Sequence, residues 1–333
     1  MIPRIQDPEQ RPVWQTLLAQ AVSSTDELLG ILQIDPAQLK TRPLDNKFPL
    51  RVPRGFVQRM RKGDSRDPLL LQVLPVQQEA QTATGFVSDP LDELDSMVAP
   101  GLLHKYQGRA LLTATGACAI HCRYCFRRHF PDTYANPLAD QWQQSVDYVA
   151  QHSDITELIL SGGDPLTLTD ARLYSLTDQL AGIGHLRTLR IHSRLPVVLP
   201  ERIDTGLLSW LESQQLKVVM VVHCNHANEI DADVSAAMQR LGQAGVTLLN
   251  QSVLLRDIND DIATLVKLSK QLFSVGVLPY YLHQLDKVQG AAHFEVDDAT
   301  ARQLIDGVSA SLPGYLVPRL VREVPDMPGK TLL

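Results

Sequence analysis

The spacing of apolar residues changes character near residue 106. Before it, Trp14 to Leu32 repeats apolar positions at helical intervals (Leu17, Leu18, Val22, Leu28, Leu29, Leu32), with Ser24 and Thr25 as candidate caps. Pro43, Pro49, Pro53, Pro68 and Pro75, interspersed with charges, then predict short helices and irregular connections. From Tyr106 onward, short apolar runs suited to buried parallel strands fall at Ala110–Thr115, Glu157–Leu160, Thr188–Ile191, Lys217–Val222, Val246–Gln251 and Val277–Leu282. Helical segments separate them: Asp140–Gln151, Asp170–Leu180, Thr205–Glu212, Val234–Gln243 and Ile262–Phe273, with Asp298–Val308 after the last. There is no internal repeat and no low-complexity tract.

Strand–helix alternation on this scale predicts an α/β fold with a parallel sheet and helices outside it. Right-handed crossovers allow a barrel, a partial barrel or an open doubly wound sheet, and six strands fall short of the eight of a full barrel. In each layout chemistry belongs at the carboxyl ends of the strands. Polar residues collect there: Cys118 after the first run, Ser161-Gly162-Gly163-Asp164 after the second, then Arg194, His223, Gln251 and Asp286.

Composition narrows the class. With 44% hydrophobic and 20% charged residues in 333, the chain can bury an ordinary core. A net charge of −6 argues against a nucleic-acid surface. No apolar run approaches the roughly 18–20 residues of a membrane span, and no apolar signal core follows the N-terminus. A cytoplasmic protein with neither nucleic-acid nor membrane partner is expected. Four cysteines are too few for a disulfide scaffold, and three of them fall within eight positions.

Those three form Cys118-x3-Cys122-x2-Cys125. One loop can wrap three thiolates around three corners of a cubic cluster, leaving the fourth iron open. A structural zinc site would want four closed ligands in paired spacings, with His121 or Cys224 as the fourth. An electron-carrying ferredoxin site would want a fourth thiolate close by. Ser161-Gly162-Gly163-Asp164-Pro165 by itself is a strand-ending turn whose glycines let backbone approach a ligand. Arg194 and Gln251 are polar strand ends that a bound adenosyl or phosphate group could partner. His223-Cys224-Asn225-His226 reads better as satisfied loop hydrogen bonds than as a metal site, with Cys224 a small buried hydrophobe.

The cysteine motif, with Tyr124 before its last cysteine, resembles the radical S-adenosylmethionine superfamily. That resemblance implies a [4Fe–4S] cluster on three cysteines, S-adenosylmethionine chelated to the open iron, and a partial (β/α)6 barrel, in agreement with the strand count. It also implies a Gly-Gly-Asp turn against the cofactor's amino group, and SAM or pyridoxal surroundings that include Ser161, Gly162, Gly163, Asp164, Arg194, His223 and Gln251. The chain then divides into a mostly helical N-terminal extension (1–103), a radical S-adenosylmethionine core (104–318) and a short C-terminal tail (319–333).

Narrower stretches resemble the lysine 2,3-aminomutases: His104-Lys105-Tyr106, Cys122 through Arg128, Pro196 through Ile203, His226 through Ile230 and Asn250 through Arg256. The nearest likeness is to the short bacterial branch that makes (R)-β-lysine for modifying elongation factor P. This likeness implies an isomerase, an intramolecular aminotransferase. Such an enzyme converts (S)-α-lysine to (R)-β-lysine by an adenosyl radical and a 1,2-amino shift on a pyridoxal phosphate aldimine. Its product goes to the elongation factor's lysyl-ligase, and its electrons come from a donor such as flavodoxin or ferredoxin.

Residue by residue, the likeness makes Lys330, in Pro328-Gly329-Lys330, the pyridoxal lysine, although sequence alone reads it as a solvated terminal lysine. Arg109 helps hold the pyridoxal group. Arg127 takes the substrate carboxylate, and Asp286 and Asp326 take the ε-ammonium, which selects lysine over glutamate. Lys105 stands where lysine enzymes tend to carry arginine. The family's C-terminal zinc cysteines are missing and Asp261 sits at the partner ligand's place, so no zinc is expected. The shortened end is expected to leave Lys330 on a mobile tail. Two other readings stand: an aminomutase for another amino acid, and a non-catalytic iron–sulfur electron-transfer or binding protein.

Overall fold

Each of the six apolar runs forms a strand, and four more strands extend the sheet. The computed structural model describes residues 12–39, 43–44, 48–129, 141–325 and 327–333. Its strands are β1 (Met97–Ala99), β2 (Leu102–Tyr106), β3 (Arg109–Thr115), β4 (Glu157–Gly162), β5 (Thr188–Ser193), β6 (Lys217–His223), β7 (Thr247–Val253), β8 (Leu278–His283), β9 (Arg319–Arg322) and β10 (Thr331–Leu332). They lie in sequence order, with β3 through β9 parallel. Antiparallel β1–β2 flanks β3, and antiparallel β10 flanks β9. Because β1 and β10 end the order without pairing to each other, the mostly parallel sheet is unclosed, a partial barrel.

The apolar sides of the strands explain the layering. On β5, Leu189 and Ile191 join the core beneath the helices, so alternation turns Arg190 and His192 to the opposite face, the lumen. The same argument places Leu282 of β8 in a second core, with Leu265, Leu304 and Leu320, and Tyr281 and His283 toward the lumen. Fully burying one such side chain contributes about 1.5–3 kcal/mol.

Outer helices start on capping side chains. Asp204, Asp231 and Asp261 each accept a hydrogen bond at 2.9 Å from the backbone N–H three residues on. Each is a cap of the kind that contributes about 1 kcal/mol. Asp261, which sequence likeness sets at a zinc ligand's place, thus opens the helix Ile262–Ser274.

Two differences from the sequence expectation have local causes. The stretch 14–32 splits into helices Val13–Ala19 and Thr25–Leu32, because Ser24 is extended and its hydroxyl caps the second helix. Arg319-Leu320-Val321-Arg322 is a strand without an apolar run, since arginines close it at both ends. It removes the expectation of a mobile tail: β10 pairs with β9, with Thr331 opposite Arg322 and Leu332 opposite Val321. The residues before β1 share the main core. Trp14, Leu28, Phe56 and Leu70 lie in the same buried cluster as Leu160, Ile191 and Met220.

Candidate active site

Cys118, Cys122 and Cys125 follow β3 as free thiols in one loop, turned tightly by a Cys125 N–H to Cys122 carbonyl bond of 3.0 Å. Residues before β1 grip this loop. Arg123, fully buried, donates from Nε to Glu79 at 2.8 Å and pairs with it again through Nη2, while Arg128 donates to the same carboxylate at 2.6 Å. Backbone bonds from Arg123 N–H to the Gln72 carbonyl and from His121 N–H to the Arg51 carbonyl, both 2.9 Å, complete the grip.

On the other side, Gly162 and Gly163 close β4 against the loop. Gly162 has φ +111°, and a Cβ on Gly163 would sit 2.3 Å from the Ala117 carbonyl oxygen. Only glycine permits that approach. Gly163 N–H donates to the Thr115 carbonyl at 2.7 Å and Asp164 N–H to that of Ala117 at 2.8 Å. The Asp164 carboxylate accepts from Leu166 N–H, Ser193 hydroxyl, Arg194 N–H and Leu195 N–H at 2.8–3.1 Å. Its oxygens are therefore spent on tying the end of β4 to the end of β5.

Arg194 donates to Cys122 Sγ at 2.7 Å, to Gln72 Oε1 at 2.6 Å and to Glu229 Oε2 at 3.1 Å. Tyr124 hydroxyl meets His223 Nε2 at 3.0 Å and accepts from Asn225 Nδ2 at 2.6 Å. Burial, and then Arg194, hold His223 well below the usual imidazole range, so it is neutral. Register sets Gln251 beside His223 on one side and Tyr281 on the other. Cys224 is fully buried, its N–H donating to Asn250 Oδ1 at 2.9 Å, while His226 Nδ1 accepts from Asn228 N–H at 3.1 Å. That tetrapeptide is a hydrogen-bonded turn.

The donor set fits an iron–sulfur cube. Burial, and then the neighbouring Cys125, Asp164 and Cys122, push the Cys118 thiol well above its usual range. Burial and Cys122 push Cys125 up to about 11. Three thiolates side by side, partly shielded from solvent, need cationic charge, which iron supplies on binding as protons leave. Among the described residues, no three His, Cys, Asp or Glu side chains converge on a single metal ion. A cube spreads its thiolates over three different irons, so it does not ask for that convergence.

Deeper in the lumen, Arg127 spans two elements. It donates from Nε and Nη2 to both oxygens of Glu93 at 2.7 Å, and from Nη1 to Ser161 Oγ at 3.0 Å and the Gly162 carbonyl at 3.3 Å. Lys330 Nζ donates to Glu323 Oε2 at 2.6 Å, and Tyr106 hydroxyl donates to Glu323 Oε1 at 2.9 Å. The Arg109 guanidinium lies 4.5 Å from the Tyr106 ring centroid, and Lys105 donates to the Leu91 carbonyl. Asp286, just beyond β8, is pushed up to about 7 by burial and then by Glu323, with Lys330 opposing. Asp326 lies outside the described residues.

The ring nitrogens Nε2 of His192 and His283 are buried without a partner. Both imidazoles are held well below their usual range by burial, and Lys330 is among the charges that lower each. Orphaned buried polar atoms on the lumen face, beside a lysine, fit a ligand that brings its own polar groups. The structure thus gathers Arg109, Lys330 and Asp286 at one end of a charge network and Arg127, Ser161 and the cysteine loop at the other. Glu79 and Glu93 gave no signal in the sequence, because each lies 34 or more positions from the arginine it serves. Glu323, near Lys330 in the chain, gave none because only the β9–β10 pairing brings the two side chains together. Glu229 sits inside the quoted stretch His226 through Ile230 and could have been singled out there.

Comparison with known proteins adds a lineage. A family model described as a 4Fe-4S single cluster domain matches residues 107–185, which span β3, the cysteine loop and the Gly-Gly-Asp turn. The L-lysine 2,3-aminomutase of Escherichia coli (strain K12) is 52% identical over 325 residues, 97% of this chain and 95% of that protein. The protein of the same name from Haemophilus influenzae is 48% identical over 320 residues, 96% of this chain and 95% of that one. Likeness to the Clostridium subterminale L-lysine 2,3-aminomutase is 36% over 269 residues, 80% of this chain but 64% of the relative.

Proposed function

Because the chain belongs to the lysine 2,3-aminomutase family, we propose that it is an isomerase of that activity, moving the α-amino group of L-lysine to C3. The observation that carries this reading is the network linking a lumen lysine to two candidate substrate groups. Lys330 is bonded through Glu323 beside Asp286, and Arg127 stands within electrostatic reach of Glu323. One end of the lumen offers a cation for an α-carboxylate, and the other a carboxylate for a distal ammonium.

Cys118, Cys122 and Cys125 would hold a [4Fe–4S] cluster with one iron open to S-adenosylmethionine, and Lys330 would hold pyridoxal phosphate with Arg109 nearby. When bound, these groups supply the hydrogen-abstracting radical and the π-system through which nitrogen migrates. The protein's own residues orient and shield. Arg194 steadies Cys122, Gly162 and Gly163 let the cysteine loop pack against β4, and Arg127, held by Glu93 and Ser161, brings a cation to the lumen. Asp286 and Asp326 would select a terminal ammonium over a carboxylate.

Identity of 52% to the E. coli relative against 36% to the clostridial one supports the finer reading, the short bacterial branch whose (R)-β-lysine serves elongation factor P and its ligase. A flavodoxin or ferredoxin as electron donor and a reducing cytoplasm suit a cluster with an open iron. No described helix is long and apolar enough to cross a membrane.

The test is anaerobic reconstitution with iron, sulfide, S-adenosylmethionine and pyridoxal phosphate, followed by product analysis with free L-lysine. β-Lysine is the expected product. Unchanged lysine from fully loaded protein defeats the assignment.

A further inference from the structure

Strand register carries an inference that the cysteine motif does not touch. In the β9–β10 ladder Val321 faces Leu332 and Arg322 faces Thr331. The next rung outward puts Glu323 opposite Lys330, and cross-strand neighbours at that distance interact. The side chains do meet: Lys330 Nζ donates to Glu323 Oε2 at 2.6 Å. The other carboxylate oxygen accepts from Tyr106 hydroxyl at 2.9 Å. Tyr106 ends β2, next to the far edge strand of the sheet, and its ring is backed by Arg109. One carboxylate therefore bridges the two ends of the open barrel.

Burial works to raise the Glu323 carboxyl, but the Lys330 ammonium and the hydrogen bonds from Lys330 and Tyr106 hold it below the usual carboxylate range. It is an anion at neutral pH. Its side chain is 16% exposed and that of Lys330 is 22%, so the pair is shielded more than an ordinary surface ion pair. Lys330 is also 5.8 Å from the Tyr281 ring centroid, on the lumen face of β8.

We propose that Glu323, bridged to Tyr106, is the positioning residue of Lys330, fixing its amine toward the lumen at the seam of the open barrel. The inference rests on the reading of Lys330 as the pyridoxal lysine. Glu323 does this through geometry: a rung of strand pairing fixes its backbone, and a tyrosine fixes its second oxygen. Hydrogen bonds between charged groups are among the stronger single contacts in a protein, enough to decide where a lysine with four rotatable bonds points.

The test uses the full chain without cofactor. Acylation by acetic anhydride at neutral pH is followed at Lys330 by peptide mass spectrometry, with exposed Lys217 as internal reference. In Glu323→Gln, Lys330 is expected to react about tenfold faster, because no carboxylate pins its amine in place. Tyr106→Phe should give a smaller rise, and Glu323→Asp should restore most of the protection. Backbone hydrogen exchange of Thr331 to Leu333 is measured in parallel and should stay at the wild-type rate, since the ladder persists. Wild-type reactivity in Glu323→Gln, or faster reactivity accompanied by fast exchange of the tail, overturns the proposal; the latter would make Glu323 a tail clamp. A separate arm treats wild-type protein with pyridoxal phosphate and borohydride. Adduct at another lysine would defeat the reading of Lys330 while leaving the acylation result to decide the pair.

Discussion

Glu93 and Arg127 form a two-pronged ion pair, both oxygens 2.7 Å from guanidinium nitrogens, with side chains 6% and 9% exposed. Arg127 is the group that family likeness assigns to the substrate carboxylate, and an internal carboxylate already occupies its fork. Removing one partner strands a buried charge, whereas removing both does not. Glu93→Ala and Arg127→Ala are each expected to destabilise ligand-free protein by about 3–5 kcal/mol, and the double variant by clearly less than their sum. Urea unfolding of the double-mutant cycle measures this; simple additivity would show that the pair is not coupled.

Glu79 serves two arginines of the cysteine loop, Arg123 and Arg128, at a site where both it and Arg123 are nearly sealed from solvent. Glu79→Gln keeps the shape and removes the charge. Stability should fall by about 3 kcal/mol or more. Iron retained after anaerobic reconstitution should fall with it, even at temperatures where circular dichroism still reports folded protein. Full iron content in such folded protein would refute a role in shaping the loop.

At Gly163 the conflict is steric. A methyl group there would meet the Ala117 carbonyl oxygen at 2.3 Å and the Gly116 carbonyl carbon at 2.6 Å, both backbone atoms that cannot swing aside. Gly163→Ala should push the cysteine loop off β4 and cut cluster content severalfold. Gly184→Ala, at a glycine with open space around it, should change nothing. Iron and sulfide analysis of the two variants side by side decides the matter.

Asp286 gives a pH signature. Its carboxyl is pushed up to about 7 in the folded protein by burial and Glu323. A folded-state value above the unfolded one, near 3.9, stabilises the protein fully below the unfolded value. That contribution is lost as pH rises through about 7. Asp286→Asn should therefore raise the melting temperature of ligand-free protein at pH 8, and the gain should shrink steadily toward pH 4. L-lysine should stabilise wild type more at pH 8 than at pH 6, since its ammonium needs the ionised carboxylate. Lack of any pH trend in the variant-minus-wild-type difference would place the titration elsewhere.

How much of the fold and site is legible in the sequence depends on distance along the chain. The six apolar runs, the helices between them and the three cysteines are local signals, each confined to a short window, and the structure reproduces their elements. Asp204, Asp231 and Asp297 cap helices that periodicity places without them. β9 escapes because its four residues carry two arginines and no apolar run.

The sequence alone determined an α/β chain with strand-end chemistry and a three-thiolate loop, because periodicity and spacing are properties of neighbouring residues. Only the tertiary structure decided who neutralises whom: Glu79 with Arg123 across 44 positions, Glu93 with Arg127 across 34, Tyr106 with Glu323 across 217. A buried charge must find an opposite charge or a hydrogen bond wherever the fold supplies one, and no pattern in the chain announces where that will be.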